Sequence, residues 1–480
     1  MLEINSQSAA DISTGSPRGY RRPQLQHLRV ARDCTKIEQQ TLSRVVGPKM
    51  RLIGSRGVNI APMIAYRRPP THGDGMETKR AATFACIKRS ETCFALILVV
   101  SLYGVSAAFA APFTPTSDNQ VLERLPLSAA PYDRELRTLR AALDGAPGTL
   151  DIALKLAQFY IRIGKIESDP RYYGYAQGVL QPWWNEPEAS AKVRLLRAMI
   201  RQNRHDFSGA LQDLAQVLSV EPGNIQAWLT RAVIMKLQAN YDEARLSCLP
   251  LAESRDPLLA VTCLSDVNSL NGRAQASYEF LQDVLREREG ASQDQRVWSL
   301  TVLAEISMRM GRNDDAERFF KEALGVGRQS AYLLAAYADF LLDQGRAAEV
   351  ADLLADKTSV DSLLLRLALA KQQLAAADLP EFVAKIGDRF AASKMRGENF
   401  HQGDEARFAL RLQGRAEDAL RLAKANWAAQ REPQDARVLL ETSLAVRDRA
   451  AAQPVLDFLA RTRLEHVRLK SLAAEIERLP

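Results

Sequence analysis

The chain has 480 residues, of which 46% are hydrophobic, 25% charged and 7% aromatic, a globular composition dominated by helix-forming residues. The net charge of +7 arises within residues 1–110, which carry 16 Lys and Arg against 7 Asp and Glu. Residues 111–480 hold 48 basic and 50 acidic residues. A nucleic-acid-binding surface needs clustered Lys and Arg on the folded domain, and this body has no basic excess. The net charge is therefore no argument for nucleic-acid binding.

Residues 76–110 are predicted to be an export signal. An apolar run over residues 94–107 follows four basic residues between positions 79 and 89, and a small-x-small ending closes at Ala110. This pattern is typical of a cleaved signal peptide and predicts a periplasmic or secreted protein. The run is shorter than the roughly 20 apolar residues of a membrane span. The alternative is an inner-membrane anchor over residues 94–110.

Two further segments surround this signal. Residues 1–75 are rich in Arg, Pro, Ser and Gly and have no sustained periodicity, so we predict a disordered extension. Because a signal peptide belongs at an N-terminus, translation from Met76 is the other interpretation of this segment. Residues 111–130 are rich in Pro, Ser and Thr and are predicted to be a linker to the body.

The body repeats with a period of 34 residues. Phe207 and Tyr241 are 34 residues apart, as are Gly311 and Gly345. A Gly-Arg pair recurs at 272–273, 311–312, 345–346 and 414–415, and three of these pairs lead into Ala-x-x-Ala or a close variant. A fixed period of this length predicts stacked supersecondary units.

These units resemble the tetratricopeptide repeat family, in which a Gly-rich turn joins helix A to an Ala-rich helix B that ends near Pro. The best unit, 297–330, contains Leu303-Ala304, Gly311, Ala316 and Phe320. Further units cover 191–224, 225–257, 331–357 and 400–433, and weaker ones cover 149–187, 258–291, 361–395 and 434–463. The resemblance implies an all-α solenoid of about eight to nine helix-turn-helix hairpins over residues 131–463, with a capping helix over 464–480. An irregular α-solenoid is the alternative.

No motif for catalysis or cofactor binding stands out in the body. The sequence contains no GxxxxGK[ST], GxGxxG, HExxH or GxSxG pattern there. The three histidines, His205, His401 and His466, fall in different units, so a shared metal site or triad is not predicted. His205 occupies a turn where the family usually has Gly. We therefore predict no enzyme activity, no metal and no cofactor.

The body contains two cysteines, Cys248 on a helix B and Cys263 on the following helix A. An oxidising compartment would permit a disulfide between them. The spacing of packed helices often exceeds the reach of a disulfide, so separate buried thiols are the favoured prediction.

The resemblance also implies a peptide-binding groove lined by helix A positions 2, 5, 9 and 12–13 of each unit. Carried onto this sequence, that register gives a mixed apolar, charged and aromatic lining. Plain packing within the solenoid is the other interpretation of these residues. The predicted peptide-binding residues are Lys192, Leu229, Trp298, Glu305, Met308, Tyr332 and Asp339.

The predicted function is a non-catalytic scaffold of the cell envelope that binds protein or peptide partners. The alternative is an accessory subunit of an envelope enzyme or of a secretion or assembly complex. Nucleic acid is not expected as a partner, and membrane contact is expected only through the export signal or through envelope partners. The sequence predicts no oligomeric state.

Overall fold

The computed structural model describes residues 133–254, 256–288, 290–327, 329–397 and 402–479. Within these ranges the chain forms 21 α-helices and no strand. The predicted extension (1–75), signal peptide (76–110) and linker (111–130) lie outside the described residues, as does His401. None of the described helices is both long and apolar enough to cross a bilayer.

Eighteen of these helices pair in chain order as nine hairpins, and α1, α4 and α21 are the others. The first half of the series contains α1 (Asp133–Gly145), α2 (Leu150–Glu167), α3 (Arg171–Val179), α4 (Gln181–Trp184), α5 (Ala191–Asn203), α6 (Phe207–Val220), α7 (Ile225–Leu237), α8 (Tyr241–Cys248), α9 (Leu258–Ser269) and α10 (Ala274–Glu287). The second half contains α11 (Gln293–Arg309), α12 (Asn313–Val326), α13 (Ala331–Asp343), α14 (Ala347–Leu354), α15 (Asp361–Gln373), α16 (Leu379–Met395), α17 (Gln402–Arg411), α18 (Ala416–Ala429), α19 (Pro433–Val446), α20 (Arg449–Thr462) and α21 (Val467–Glu477).

The nine hairpins are α2–α3, then each successive pair from α5–α6 to α19–α20. This arrangement confirms the predicted α-solenoid of eight to nine units, and α21 packs against α19 and α20 at its end. The weak units 258–291 and 361–395 are intact hairpins, α9–α10 and α15–α16. They lack parts of the sequence pattern but keep its helical fold.

Small residues let the two helices of a hairpin approach closely. Ala304 on α11 and Ala316 on α12 are both fully buried, in the register that the repeat pattern predicts. Phe320 and Tyr337 pack against each other between neighbouring hairpins, with ring centroids 5.3 Å apart. A single hairpin cannot cover its own apolar face, so each depends on the next for its core.

The turn within each hairpin uses one residue with a left-handed backbone. Gly311 (φ 77°) and Gly345 (φ 72°) take this conformation, which glycine adopts without a Cβ clash. His205 occupies the equivalent turn of α5–α6 with φ 59°, as the sequence predicted. Its ring stacks on Phe207, with centroids 5.3 Å apart. The turn therefore imposes its geometry even where the residue is not glycine.

The favoured prediction for the two cysteines was wrong. Cys248 and Cys263 are joined by a disulfide, and their Cα atoms are 5.7 Å apart. That separation lies within the bridging range because Cys248 is the last residue of α8 and a 3-10 turn (Leu249–Glu253) leads straight into the next hairpin. Both side chains are buried, so the disulfide links two hairpins within their shared core.

Alanine substitutions at two turn glycines should have unequal effects. Gly345→Ala should lower the free energy of unfolding by about 1–2 kcal/mol, because its Cβ meets open space and only the left-handed φ opposes it. Gly272→Ala should lower it further, because φ is 71° and the new Cβ would lie 3.1 Å from Arg463 Cβ. Urea unfolding measures both.

The matched control is Gly174→Ala within α3, where the backbone is helical and no atom lies within 4 Å of the new Cβ. This variant should be as stable as the parent or about 0.5–1 kcal/mol more stable. Equal losses for Gly345→Ala and Gly272→Ala would contradict the importance of the Arg463 contact.

Candidate functional site

The first helices of the hairpins form one continuous surface, here called the first-helix face. Each first helix from α2 to α17 contacts the first helix of the following hairpin. All seven predicted peptide-binding residues lie on four of these helices: Lys192 on α5, Leu229 on α7, Trp298, Glu305 and Met308 on α11, and Tyr332 and Asp339 on α13.

These seven residues differ widely in accessibility. Lys192 is exposed and the Tyr332 side chain is 53% exposed, whereas Leu229 is buried in the core. Trp298 and Met308 are partly buried against hydrophobic clusters. Trp298 touches two such clusters, so truncating it would disturb packing as well as any bound partner. The peptide-binding role of all seven stays a prediction.

Glu305 and Tyr332 form a polar contact between α11 and α13. The Tyr332 hydroxyl donates a hydrogen bond to Glu305 Oε1 at 2.5 Å. Among the described residues no cation lies within 4 Å of the Glu305 carboxylate. Burial raises the pKa of Glu305, against the opposing charge of Arg309. A carboxylate in this setting is short of counter-charge.

A second polar contact joins hairpins that are distant in sequence. Lys236 Nζ on α7 lies 2.9 Å from Asp266 Oδ2 on α9 and 3.8 Å from Glu432 Oε1. Glu432 is the N-cap of α19. Next to it, the Arg431 backbone N–H donates to the Leu237 carbonyl at 2.7 Å. The start of α19 therefore lies against the end of α7.

Three arginines extend this contact along the first-helix face. Arg407 on α17 donates to Asp339 Oδ1 at 2.9 Å, and Arg366 on α15 donates to Asp339 Oδ2 at 2.7 Å. Arg437 on α19 donates two hydrogen bonds to Asp343, at 2.6 and 2.7 Å. Helix α17 thus binds α13 at Asp339, and α19 binds the end of α13 at Asp343, on the face that was predicted to be a groove.

Asp339 is consequently a structural residue as well as a candidate contact. Burial alone would raise its pKa, but the charges and hydrogen bonds of Arg366 and Arg407 outweigh burial and hold the pKa at about 2. Its carboxylate side chain is 13% exposed. One carboxylate therefore fixes three first helices relative to one another.

His466 is half-buried and is the N-cap residue of α21. Burial, together with the charges of Arg309 and Arg437, lowers its pKa to about 3, so the imidazole is neutral near pH 7. We expected a surface or capping histidine, and His466 takes the N-cap position, although its side chain makes no capping hydrogen bond. Among the described residues, no three His, Cys, Asp or Glu side chains converge to hold a metal ion.

Sequence reasoning missed several residues of this site. Asp266 occupies position 9 of α9, so the helix A register would have named it had it been applied to that weak unit. The helix A register does not mark Glu432, Arg407 or Arg437. They reach partners 68 to 196 positions away, and no local pattern encodes such a pairing.

Comparisons with known proteins do not assign this chain to a family. No family model matches the chain, and no curated protein matches it. Solved structures with related folds include a tetratricopeptide repeat protein from Parabacteroides merdae, 17% identical, covering 49% of this chain and 90% of that one, with a TM-score of 0.36. The APC/C hetero-tetramer Cut9-Hcn1 is 15% identical over 72% of each chain, with a TM-score of 0.36.

The human IFIT1 dimer with m7Gppp-AAAA is 13% identical, covering 72% of this chain and 85% of that one, with a TM-score of 0.38. All three TM-scores are below 0.5, so these similarities carry no argument about function. The fold assignment depends instead on the repeat pattern and on the nine hairpins of the described residues.

Replacing Asp339 by Asn should destabilise the chain by about 3–5 kcal/mol at pH 7, because two buried arginines lose their shared counter-charge. The pKa of Asp339 is lowered on folding, so its stabilising effect is present above the unfolded value of about 4 and lost as pH falls towards 2. Urea unfolding between pH 2 and pH 7 measures this.

The exposed carboxylate Asp352 of α14 provides the matched control. Asp352→Asn should change the free energy of unfolding by less than about 0.5 kcal/mol at any pH. If Asp339→Asn kept the acid sensitivity of the parent between pH 4 and pH 2, Asp339 would not be its source.

Proposed function

We propose that this chain is a non-catalytic scaffold that binds protein or peptide partners on its first-helix face. The accessible pair Glu305–Tyr332 carries the proposal. It presents a half-exposed aromatic ring beside a carboxylate short of counter-charge, on the surface formed by successive first helices. Aromatic anchors framed by polar groups are typical of protein-binding surfaces.

Packing narrows the accessible part of this surface. Leu229 and Trp298 are held in hydrophobic clusters, and Asp339 is held by two arginines. Tyr332 and Lys192 remain exposed. A partner would therefore contact the face near α5 and near the α11–α13 boundary, where Lys192 and Tyr332 are exposed among the described residues.

We also propose that the protein works in the periplasm or outside the cell. The predicted signal peptide at 76–110 supports export, and the Cys248–Cys263 disulfide is a bond typical of proteins in oxidising compartments. The two observations are independent, since one concerns the leader and the other the folded body.

Affinity capture from the native envelope fraction tests the binding function. Tyr332→Ala should lose at least one partner that the parent chain retains, because it removes the exposed ring from the first-helix face. Mass spectrometry of the captured proteins identifies that partner. Tyr175→Ala is the matched control, because Tyr175 is 49% exposed but lies on α3, a second helix of its hairpin.

The control variant should retain the partners of the parent chain. Loss of the same partners from both variants would place the binding surface elsewhere or point to general destabilisation, which thermal unfolding of both proteins distinguishes. If Tyr332→Ala and the parent retained the same set, the first-helix face would not be the docking surface.

Export is tested on protein isolated from the periplasmic fraction or the medium. N-terminal sequencing should begin at Ala111, and the denatured, unreduced protein should show no free thiol, since its two body cysteines are paired. A chain that keeps residues 94–110 would instead support the membrane-anchored alternative. Two free thiols on a cytoplasmic chain would overturn the export proposal.

A further inference from the structure

Three carboxylates are linked electrostatically near the α11–α13 boundary, because the charge of the first raises the pKa of the other two. They are Asp266, Glu305 and Glu432, here called the acidic cluster. The charges of Asp266 and Lys236 both shift the pKa of Glu305, and those of Glu305, Glu432 and Asp266 all raise the pKa of Tyr332. Groups that affect one another's ionisation in this way share one site, although these five residues come from five hairpins.

Fewer cations than carboxylates lie at the acidic cluster. Lys236 is shared by Asp266 and Glu432, at 2.9 and 3.8 Å. Arg309, the second cation, donates to Ser269 Oγ at 2.7 Å, and its Nε has no hydrogen-bond partner among the described residues. Three carboxylates therefore face two cations. One further positive charge would balance the site.

A buried and unpartnered polar group also belongs to this site. Tyr241 is 5% exposed, and its hydroxyl finds no hydrogen-bond partner among the described residues. The charges of Lys236, Glu432, Arg309 and Asp266 all act on this hydroxyl and on its pKa. Buried hydroxyls in proteins are normally hydrogen-bonded. The Tyr241 hydroxyl therefore lacks the partner that a buried hydroxyl usually has.

Tyr332 and Glu432 are the most exposed groups at the acidic cluster. The Tyr332 side chain is 53% exposed and that of Glu432 is 31% exposed, whereas the Lys236 and Asp266 side chains are 14% and 11% exposed. A long side chain could therefore enter past Tyr332 and meet Glu305 first. The Tyr332 ring adds an aromatic face, which attracts cations.

We propose that the acidic cluster binds the cationic side chain of a Lys or Arg residue in the partner peptide. The inference depends on the proposed peptide-binding function and adds the chemical class of the bound residue. Glu305 supplies the main charge-assisted hydrogen bond, and Tyr332 packs against the incoming side chain. A neutral residue in the same place would leave Glu305 without a counter-charge. The charge-assisted hydrogen bond therefore favours Lys or Arg strongly over a neutral residue.

Peptide pools with random flanks and one fixed central residue test this. The central residue is Arg in one pool, Gln in the second and Glu in the third, and each pool carries a fluorescent label. Fluorescence anisotropy with the purified chain should show about tenfold or tighter binding of the Arg pool than of the Gln pool. Binding of the Glu pool should be weakest.

The variant Glu305→Gln should lose this preference for Arg, whereas the exposed control Asp352→Asn should keep it. If Glu305→Gln does not fold, ethylguanidinium competition on the parent chain decides the question. Ethylguanidinium should release the Arg pool, and NaCl at equal ionic strength should not.

Two failures are distinguishable. Equal binding of the three pools by the parent chain would overturn cation recognition and leave peptide binding intact. Absence of binding for every pool would overturn the proposed function as well. A preference for Arg that survives Glu305→Gln would place the cation site outside the acidic cluster.

Discussion

Every hairpin of this chain depends on its neighbours to bury an apolar face, and the tight left-handed turn makes that stacking possible. The turn brings two helices together with small residues such as Ala304 and Ala316 between them, so large side chains such as Phe320 are left to fill the space between units. Because φ must be positive at one residue, the turn tolerates glycine best. His205 nevertheless adopts φ 59° there, so burial in the stack outweighs the local strain.

The parts of the fold that the sequence predicted are those encoded locally. The Gly311 and Gly345 turns, the Ala-rich second helices and the 34-residue period all depend on contacts within one or two units. The disulfide was missed because general helix spacing was used in place of the short 3-10 connection, which brings Cys248 within 5.7 Å of Cys263. A register rule carries such local information but says nothing about a connection of unusual length.

The candidate site was predictable only in part for the same physical reason. The helix A register correctly assigned Glu305 and Tyr332 to the first-helix face. It could not show that Arg407 would reach Asp339 from 68 positions away, because that pairing depends on how the successive hairpins accumulate their rotations. Sequence spacing fixes a residue's place on its own helix. Its partners across the stack follow only from the assembled structure.

The buried charges divide the first-helix face into two parts with different roles. Asp339 pairs directly with two arginines, Arg366 and Arg407, which keep its pKa at about 2. Glu305 has no cation within 4 Å among the described residues, and burial raises its pKa. Paired buried charges mainly fix the geometry of their helices, whereas a carboxylate short of counter-charge gains most from a ligand that supplies one. The two parts lie on neighbouring helices, since Asp339 is on α13 and Glu305 is on α11. Asp339 holds hairpins together, whereas Glu305 is the group for which we propose a cationic partner.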